Sequence, residues 1–248
     1  MTPKQVLAAA VGERFSDAEG EFLLELDDGF TEEELEEWSA GLPAPPPPEI
    51  EELLLFTRGF GAGFGGIDSV DFTGEEFGVG LEELFPNKIS FCTDGAGNDW
   101  VVDIHPETGV WGAVFYLCHD PPAAVYQSRD LAAFLTELLK LARNQENEIT
   151  RVVDQAAYDI WREEKALIPA ARARESADAA LRAFASELPD EAEIADLRPG
   201  IVGTGFTLDS EGWRRYGSEL LFAIFATVRL EKKRGFFARL FGSTDTSS

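Results

Sequence analysis

The chain has 248 residues, 44% of them hydrophobic with 19 Phe and 5 Trp, and its formal net charge is −25. That length suits one large domain, or a domain with a smaller appendage, and the apolar content excludes a chain disordered throughout. Acid is concentrated at the front: residues 1–150 hold 7 Lys and Arg against 30 Asp and Glu, a net of −23, while residues 151–248 hold 14 against 16, a net of −2. A surface of that sign repels phosphate backbones, so nucleic acid is not an expected ligand, and it draws in basic proteins. The same charge also serves solubility or adaptation to high salt.

No apolar run approaches the ~20 residues a membrane-spanning helix needs. Residues 1–10 (MTPKQVLAAA) lack the long apolar core and small-residue cleavage site of a secretory signal, so the expected location is the cytoplasm. Cys92 and Cys118 form no CxxC pair and are too few for a disulfide framework. Both fall in expected strands and read as buried thiols.

In chain order, TEEELEEW over 31–38 begins with a capping box, Thr31 and Glu34, and predicts a helix with its glutamates at the positive end of the dipole. LPAPPPP over 42–48 forbids a helix and favours an extended entry to a second helix over 49–57. RGFGAGFGG over 58–66 holds five glycines. It lacks GxGxxG between a strand and a helix, and no Lys-Ser/Thr follows, so a flexible loop is expected rather than a phosphate cradle. Strands are expected over 67–72, 88–93 (KISFCT), 99–104 (DWVVDI) and 113–118 (AVFYLC). DGAGN and HPETG separate the last three, and such short spacers make an antiparallel meander.

Leu131, Phe134, Leu135, Leu138 and Ala142 form one apolar stripe of a helix over 129–145. Beyond it, a helix over 150–168 stopped by Pro169, a helix over 176–188 and a strand over 201–208 are expected. LLFAIFATVRL over 220–230 reads as a buried strand or a short helix. In the last segment Lys232, Lys233, Arg234 and Arg239 frame Phe236, Phe237, Leu240 and Phe241. This basic amphipathic tail suits docking on a partner or on the chain's own acidic half, and contact with a membrane surface is the weaker alternative.

Asp94, Asn98, Asp99 and Asp103 are oxygen-bearing, but the calcium-loop pattern is absent. DGAGN fits a turn, with Gly95 and Gly97 at positive φ and Asp94 and Asn98 closing side chain–backbone bonds. His119-Asp120 spells the dyad of metal phosphohydrolases, yet His105 is the chain's one other histidine. A metal-dependent hydrolase using His119 and Asp120 is therefore the least favoured reading. No GxSxG context supports a serine nucleophile. No catalytic residue, cofactor or metal is expected.

Four segments occur in a fixed order: LPAPPPPEIEELLLFTRGFGAG, ISFCTDGAGNDWVVD, AVFYLCHD and DLAAFLTELL. Together they resemble the SUKH superfamily, Smi/Knr type, related to the yeast cell-wall-assembly regulator, over roughly residues 30–142. The resemblance implies an α+β domain with a bent antiparallel sheet flanked by helices, here over 1–146. A mostly helical α/β extension over 147–230 and the tail over 231–248 would follow. It also implies a non-enzymatic, protein-binding role: an immunity protein neutralising a toxin, or an adaptor, with a basic partner. A regulatory scaffold without a toxin is the alternative. Carried over by position, Asp94, Gly95, Gly97 and Asn98 match the turn, Asp103 the acid ending the strand, and His119 and Asp120 the end of the next strand. All seven are expected to define the fold or face the partner. The proline run and the last ~100 residues depart from the family pattern.

Overall fold

In the computed structural model the residues described are 1–16, 20–74, 84–163, 167–208, 214–216 and 224–228. The chain runs α1 (Pro3–Ala8), β1 (Arg14–Ser16), β2 (Glu21–Leu23), α2 (Glu32–Ser39), α3 (Pro48–Leu54), β3 (Gly59–Phe64), β4 (Ile67–Asp71), β5 (Lys88–Thr93), β6 (Asp99–Ile104), β7 (Trp111–His119), β8 (Pro122–Ser128) and α4 (Leu131–Ala142). It continues through α5 (Arg151–Glu163), β9 (Leu167–Pro169), α6 (Ala170–Ala173), α7 (Ala179–Ser186), β10 (Ala192–Asp196), β11 (Gly205–Thr207), β12 (Arg214–Tyr216) and β13 (Ile224–Val228).

The short N-terminal helices are held by their caps. Thr31 N donates to Glu34 Oε2 at 2.8 Å and Glu34 N to Thr31 Oγ1 at 3.2 Å, the capping box expected of TEEELEEW. The Thr31 N–H and the Thr31 hydroxyl, which donates to Glu34 Oε2 at 2.9 Å, hold the Glu34 carboxyl below its usual pKa. Thr2 and Gln5 repeat the box on α1, a helix the sequence reading passed over. α3 opens on Pro48, whose missing N–H costs nothing at the first helical position.

The glycine-rich stretch over 58–66 is not a loop as expected but strand β3. Phe60, Ala62 and Phe64 alternate on it, and Phe60 and Phe64 are buried. A Cβ on Gly59 would lie 2.1 Å from Val70 O, so glycine is what lets β3 close on β4. The helix expected over 150–168 ends at Glu163, and Leu167–Pro169 pairs with β10 instead. The ambiguous 220–230 segment holds strand β13.

Two large sheets organise the molecule, beside a two-stranded ribbon of β1 and β2. The larger has seven strands in the order β11-β8-β7-β6-β5-β4-β3, with antiparallel pairing throughout. The smaller runs β12-β13-β10-β9. β7 lies in the interior of this sheet, with every residue from Trp111 to Cys118 buried, and its side chains alternate between two cores. Val114, Tyr116 and Cys118 join Trp100, Phe134, Leu138 and Val153 under α1, α3, α4 and α5. Ala113, Phe115 and Leu117 join Tyr126 and Phe206, with Ala195 and Leu197 from the smaller sheet's side. On that sheet's other face Ile194 packs with Leu181, Phe184 and Leu188 under α6 and α7. The layers are therefore helix, sheet, sheet and helix. A sheet covered on both faces explains why KISFCT, DWVVDI and AVFYLC read as nearly continuous apolar runs rather than alternating ones. Two elements from beyond residue 146 complete this arrangement: β11 pairs with β8, and α5 lies over β8 and β11.

Candidate functional site

Residues 94–98 form the turn between β5 and β6, and its bonds leave the loop little freedom. Asp94 Oδ1 accepts from Ala96 N at 2.9 Å and from Asn98 N at 3.1 Å, while Thr93 Oγ1 donates to Asn98 O at 3.1 Å. Gly95 and Gly97 sit at φ +68° and +95°, the left-handed conformation the DGAGN pattern predicts.

Asn98 ties this turn to the next. Its Nδ2 donates to Asp94 Oδ2 at 2.6 Å. Its Oδ1 accepts from His119 N at 3.0 Å and lies 3.1 Å from His119 Nδ1. Since a carbonyl oxygen only accepts, Nδ1 carries the proton and Nε2 is left to face outward. The imidazole lies against Gly97, where a Cβ would meet it at 3.3 Å. Asn98 is buried beneath, and His119 and Asp120 are exposed.

The structure thus brings together six of the residues singled out by sequence: Asp94, Gly95, Gly97, Asn98, His119 and Asp120. Asp103 stands apart. It is fully buried near the far end of β6, in register with Lys88, about 16 Å along the strand from Asn98. Phe236, Phe237, Leu240 and Phe241 lie outside the described residues. One contributor escaped the sequence reading: Asp68 of β4, exposed and packed against Gly95. Its only signal was the pairing of Ser69 with Thr93, which no local pattern encodes.

The outward rim is Asp68, His119 and Asp120 on a stiff glycine turn, an arrangement suited to recognising a charged or hydrogen-bonding surface. Among the described residues no group of three or more His, Cys, Asp or Glu is placed to hold a metal ion. The two cysteines are buried thiols. Burial drives Cys92 well above its usual pKa, with Asp99 and Asp94 adding to the shift, and burial likewise raises Cys118. No described helix is long and apolar enough to cross a membrane.

Replacing Gly95 or Gly97 by Val should destabilise the fold by about 1–3 kcal/mol, because a β-branched residue is strained at positive φ. At Gly97 the His119 ring must also move. Unchanged thermal unfolding of both variants would contradict this account of the turn.

Asp99, half-buried at the start of β6, has a raised pKa, chiefly from burial, with Asp94 adding and the Ser90 hydroxyl bond opposing. Folding therefore takes up a proton between the ordinary value of 3.8 and the raised one, and stability falls as pH rises through that window. Asp99→Asn should remove this slope and raise the melting temperature slightly at neutral pH. A pH profile of melting identical to the parent's would refute it.

Residues 29–137 match the SMI1 / KNR4 family (SUKH-1). The matched segment spans α2 through most of α4, including the 94–98 turn and the His119-Asp120 strand end. No curated protein and no solved structure matches the chain.

Proposed function

We propose that the chain is a non-enzymatic binding protein of the cytoplasm, of the immunity or adaptor kind, whose acidic half engages a basic protein such as a toxin. The observation that carries this reading is where the acid sits. Glu32, Glu33, Glu36 and Glu37 of α2, Glu49 and Glu52 of α3, and Asp27 and Asp28 beside the end of α3 are all exposed. Phe30 N donates to Leu54 O at 2.8 Å and fixes that junction. The match to the SMI1 / KNR4 family supports a protein-binding role. A toxin acting on nucleic acid needs a basic cleft for phosphates, and an acidic inhibitor complements it. The Asp68, His119 and Asp120 rim would add directional hydrogen bonds to this steering.

The test is capture of the partner from the native organism, then kinetics with the purified pair. Association should slow roughly tenfold or more between about 50 and 500 mM salt, as screening shortens the range of exposed charge. Combined Glu32→Lys, Glu33→Lys, Glu36→Lys and Glu37→Lys substitutions should slow it similarly at low salt. His119→Ala keeps the backbone bond to Asn98, so weaker binding by that variant without a lower melting temperature would mark direct contact. Restored growth when the two proteins are co-expressed, against arrest by the partner alone, separates immunity from a regulatory scaffold. An acidic partner, or association indifferent to salt, would refute the reading.

A further inference from the structure

One glycine of β3 has no backbone reason to be glycine. Gly59 lets β3 close on β4, Gly63 sits at φ +61° in the bulge between Gly61 and Phe64, and Gly65 and Gly66 turn the hairpin at φ +59° and +85°. Gly61 does none of this. It pairs with Ser69, its φ lies outside the left-handed region, and a Cβ built on it would meet nothing within 4 Å. A glycine inside a strand weakens it and marks a place where a ligand or another backbone comes close.

Gly61 and Gly63 line a recess of about 600 Å³ where β2 and the chain after it run beside β3. Gly61 alternates with the buried Phe60, so it faces away from the core. Two contacts fix the ends of the recess: Leu26 bridges to Phe60, and the Phe22 ring stacks on that of Phe64 with centres 5.4 Å apart. Glu21, Leu23 and Glu25, all exposed, recur at a spacing of two and so wall the recess on one side. Four residues of extended chain put Glu21 and Glu25 about 13 Å apart, with Leu23 between them. Arg14 lies 3.3 Å from Glu21, but both side chains are largely exposed, so the pair is weak and another cation can take Arg14's place. The recess thus offers bare backbone at its floor, an apolar middle and a carboxylate at each end.

We propose that this recess is a docking site for the basic partner, which lays an extended segment along β3 over Gly61, with cationic side chains reaching Glu25 and Glu21 and an apolar one on Leu23. Charge decides the occupant: the walls belong to the half of the chain whose net charge is −23. A guanidinium suits the two ends, because its planar fork pairs with a carboxylate through two hydrogen bonds. This rests on the partner reading above, and it gives that partner a place to bind besides the exposed charge of α2 and α3.

Binding of the peptide acetyl-Arg-Gly-Leu-Gly-Arg-amide to the full chain, followed by nuclear magnetic resonance up to about 10 mM, tests it. Saturable shifts at the amides of Leu23, Gly61 and Gly63 are expected. Gly61→Val should raise the dissociation constant about tenfold or more by filling the recess. Its melting temperature should hold or rise, since a β-branched residue suits a strand and nothing stands in its way. Glu25→Lys should weaken binding to a similar degree without altering the backbone. The acidic counterpart acetyl-Glu-Gly-Leu-Gly-Glu-amide should not bind. No saturable shift at the recess, affinity indifferent to Gly61→Val, or affinity indifferent to Glu25→Lys would overturn the inference. So would tighter peptide binding on deletion of 231–248, which would give the recess to the chain's own tail, or self-association lost in Gly61→Val, which would give it to a second copy. A basic captured partner that binds Gly61→Val as well as the parent would sink the recess alone, whereas an acidic partner would sink the partner reading.

Discussion

A fragment ending at residue 146 will not fold. It keeps β3 through β8 and α4 but loses α5, β11 and the layer that carries Ala195 and Leu197. On one face of the larger sheet Val153, Ala157 and Ile160 disappear from the core. On the other, Val101, Phe115, Leu117 and Tyr126 lose their cover. Burial of each large apolar side chain contributes about 1.5–3 kcal/mol, so the loss is on the order of 10 kcal/mol. That is comparable to the entire stability of an ordinary domain. Expression of 1–146 should give insoluble material, or a compact state that binds a hydrophobic dye and melts without cooperativity. A sharp thermal transition with native near-ultraviolet dichroism would show that the sheet tolerates water on its second face.

Trp100→Ala should be the most damaging single substitution at the core, at about 4–5 kcal/mol. Trp100 is 1% exposed, its ring centre is 4.8 Å from that of Tyr116 and 6.1 Å from that of Phe134. Truncating a buried Trp costs about 3–5 kcal/mol through lost contacts and the cavity left behind. The indole N–H also donates to Gln127 Oε1 at 3.1 Å, while Gln127 Nε2 donates to Glu148 O at 3.0 Å. Removing the indole orphans a buried carbonyl, a further penalty of about 1–3 kcal/mol that partial collapse of the cavity offsets. Trp100→Phe refills part of the volume but leaves the same orphan, so it should cost about 1–3 kcal/mol. Chemical denaturation midpoints measure both. Equal losses for the two variants would assign the whole effect to the hydrogen bond.

Local chemistry was legible wherever the signal was short-ranged. TEEELEEW announced its capping box, DGAGN its two positive-φ glycines, and Leu131, Phe134, Leu135 and Leu138 the buried side of α4. The turn and the His119-Asp120 strand end could be named from sequence, and the bond from His119 to Asn98 shows why they belong together. What stayed hidden depended on distant chain. Gly59 reads as flexible until Val70 O is seen to press on it. Leu167–Pro169 reads as the end of a helix until β10 supplies a partner. The apolar runs of β6 and β7 read only as strands of a meander, because the residues that cover their second face, Ala195, Leu197 and Phe206, lie about 80–100 positions downstream, beyond any local pattern. Asp103 looked like a companion of the turn because it lies five residues away, yet a strand carries those five residues straight out of reach.

The position of β11 has a consequence in time. The outermost strand on the β8 side of the larger sheet is built from residues 205–207, but the sheet's other six strands are complete by Ser128. A ribosome adding about 5–20 residues per second needs roughly 4–16 s to cover the 79 positions from Ser128 to Thr207. Throughout that interval the nascent chain carries Phe115, Leu117 and Tyr126 with the residues that will cover them not yet made, and β8 without its neighbour. Newly made protein should therefore be held by chaperones far longer than finished protein that is unfolded and returned to native conditions, and ribosome-bound chains arrested between residues 128 and 207 should be the ones that chaperones retain.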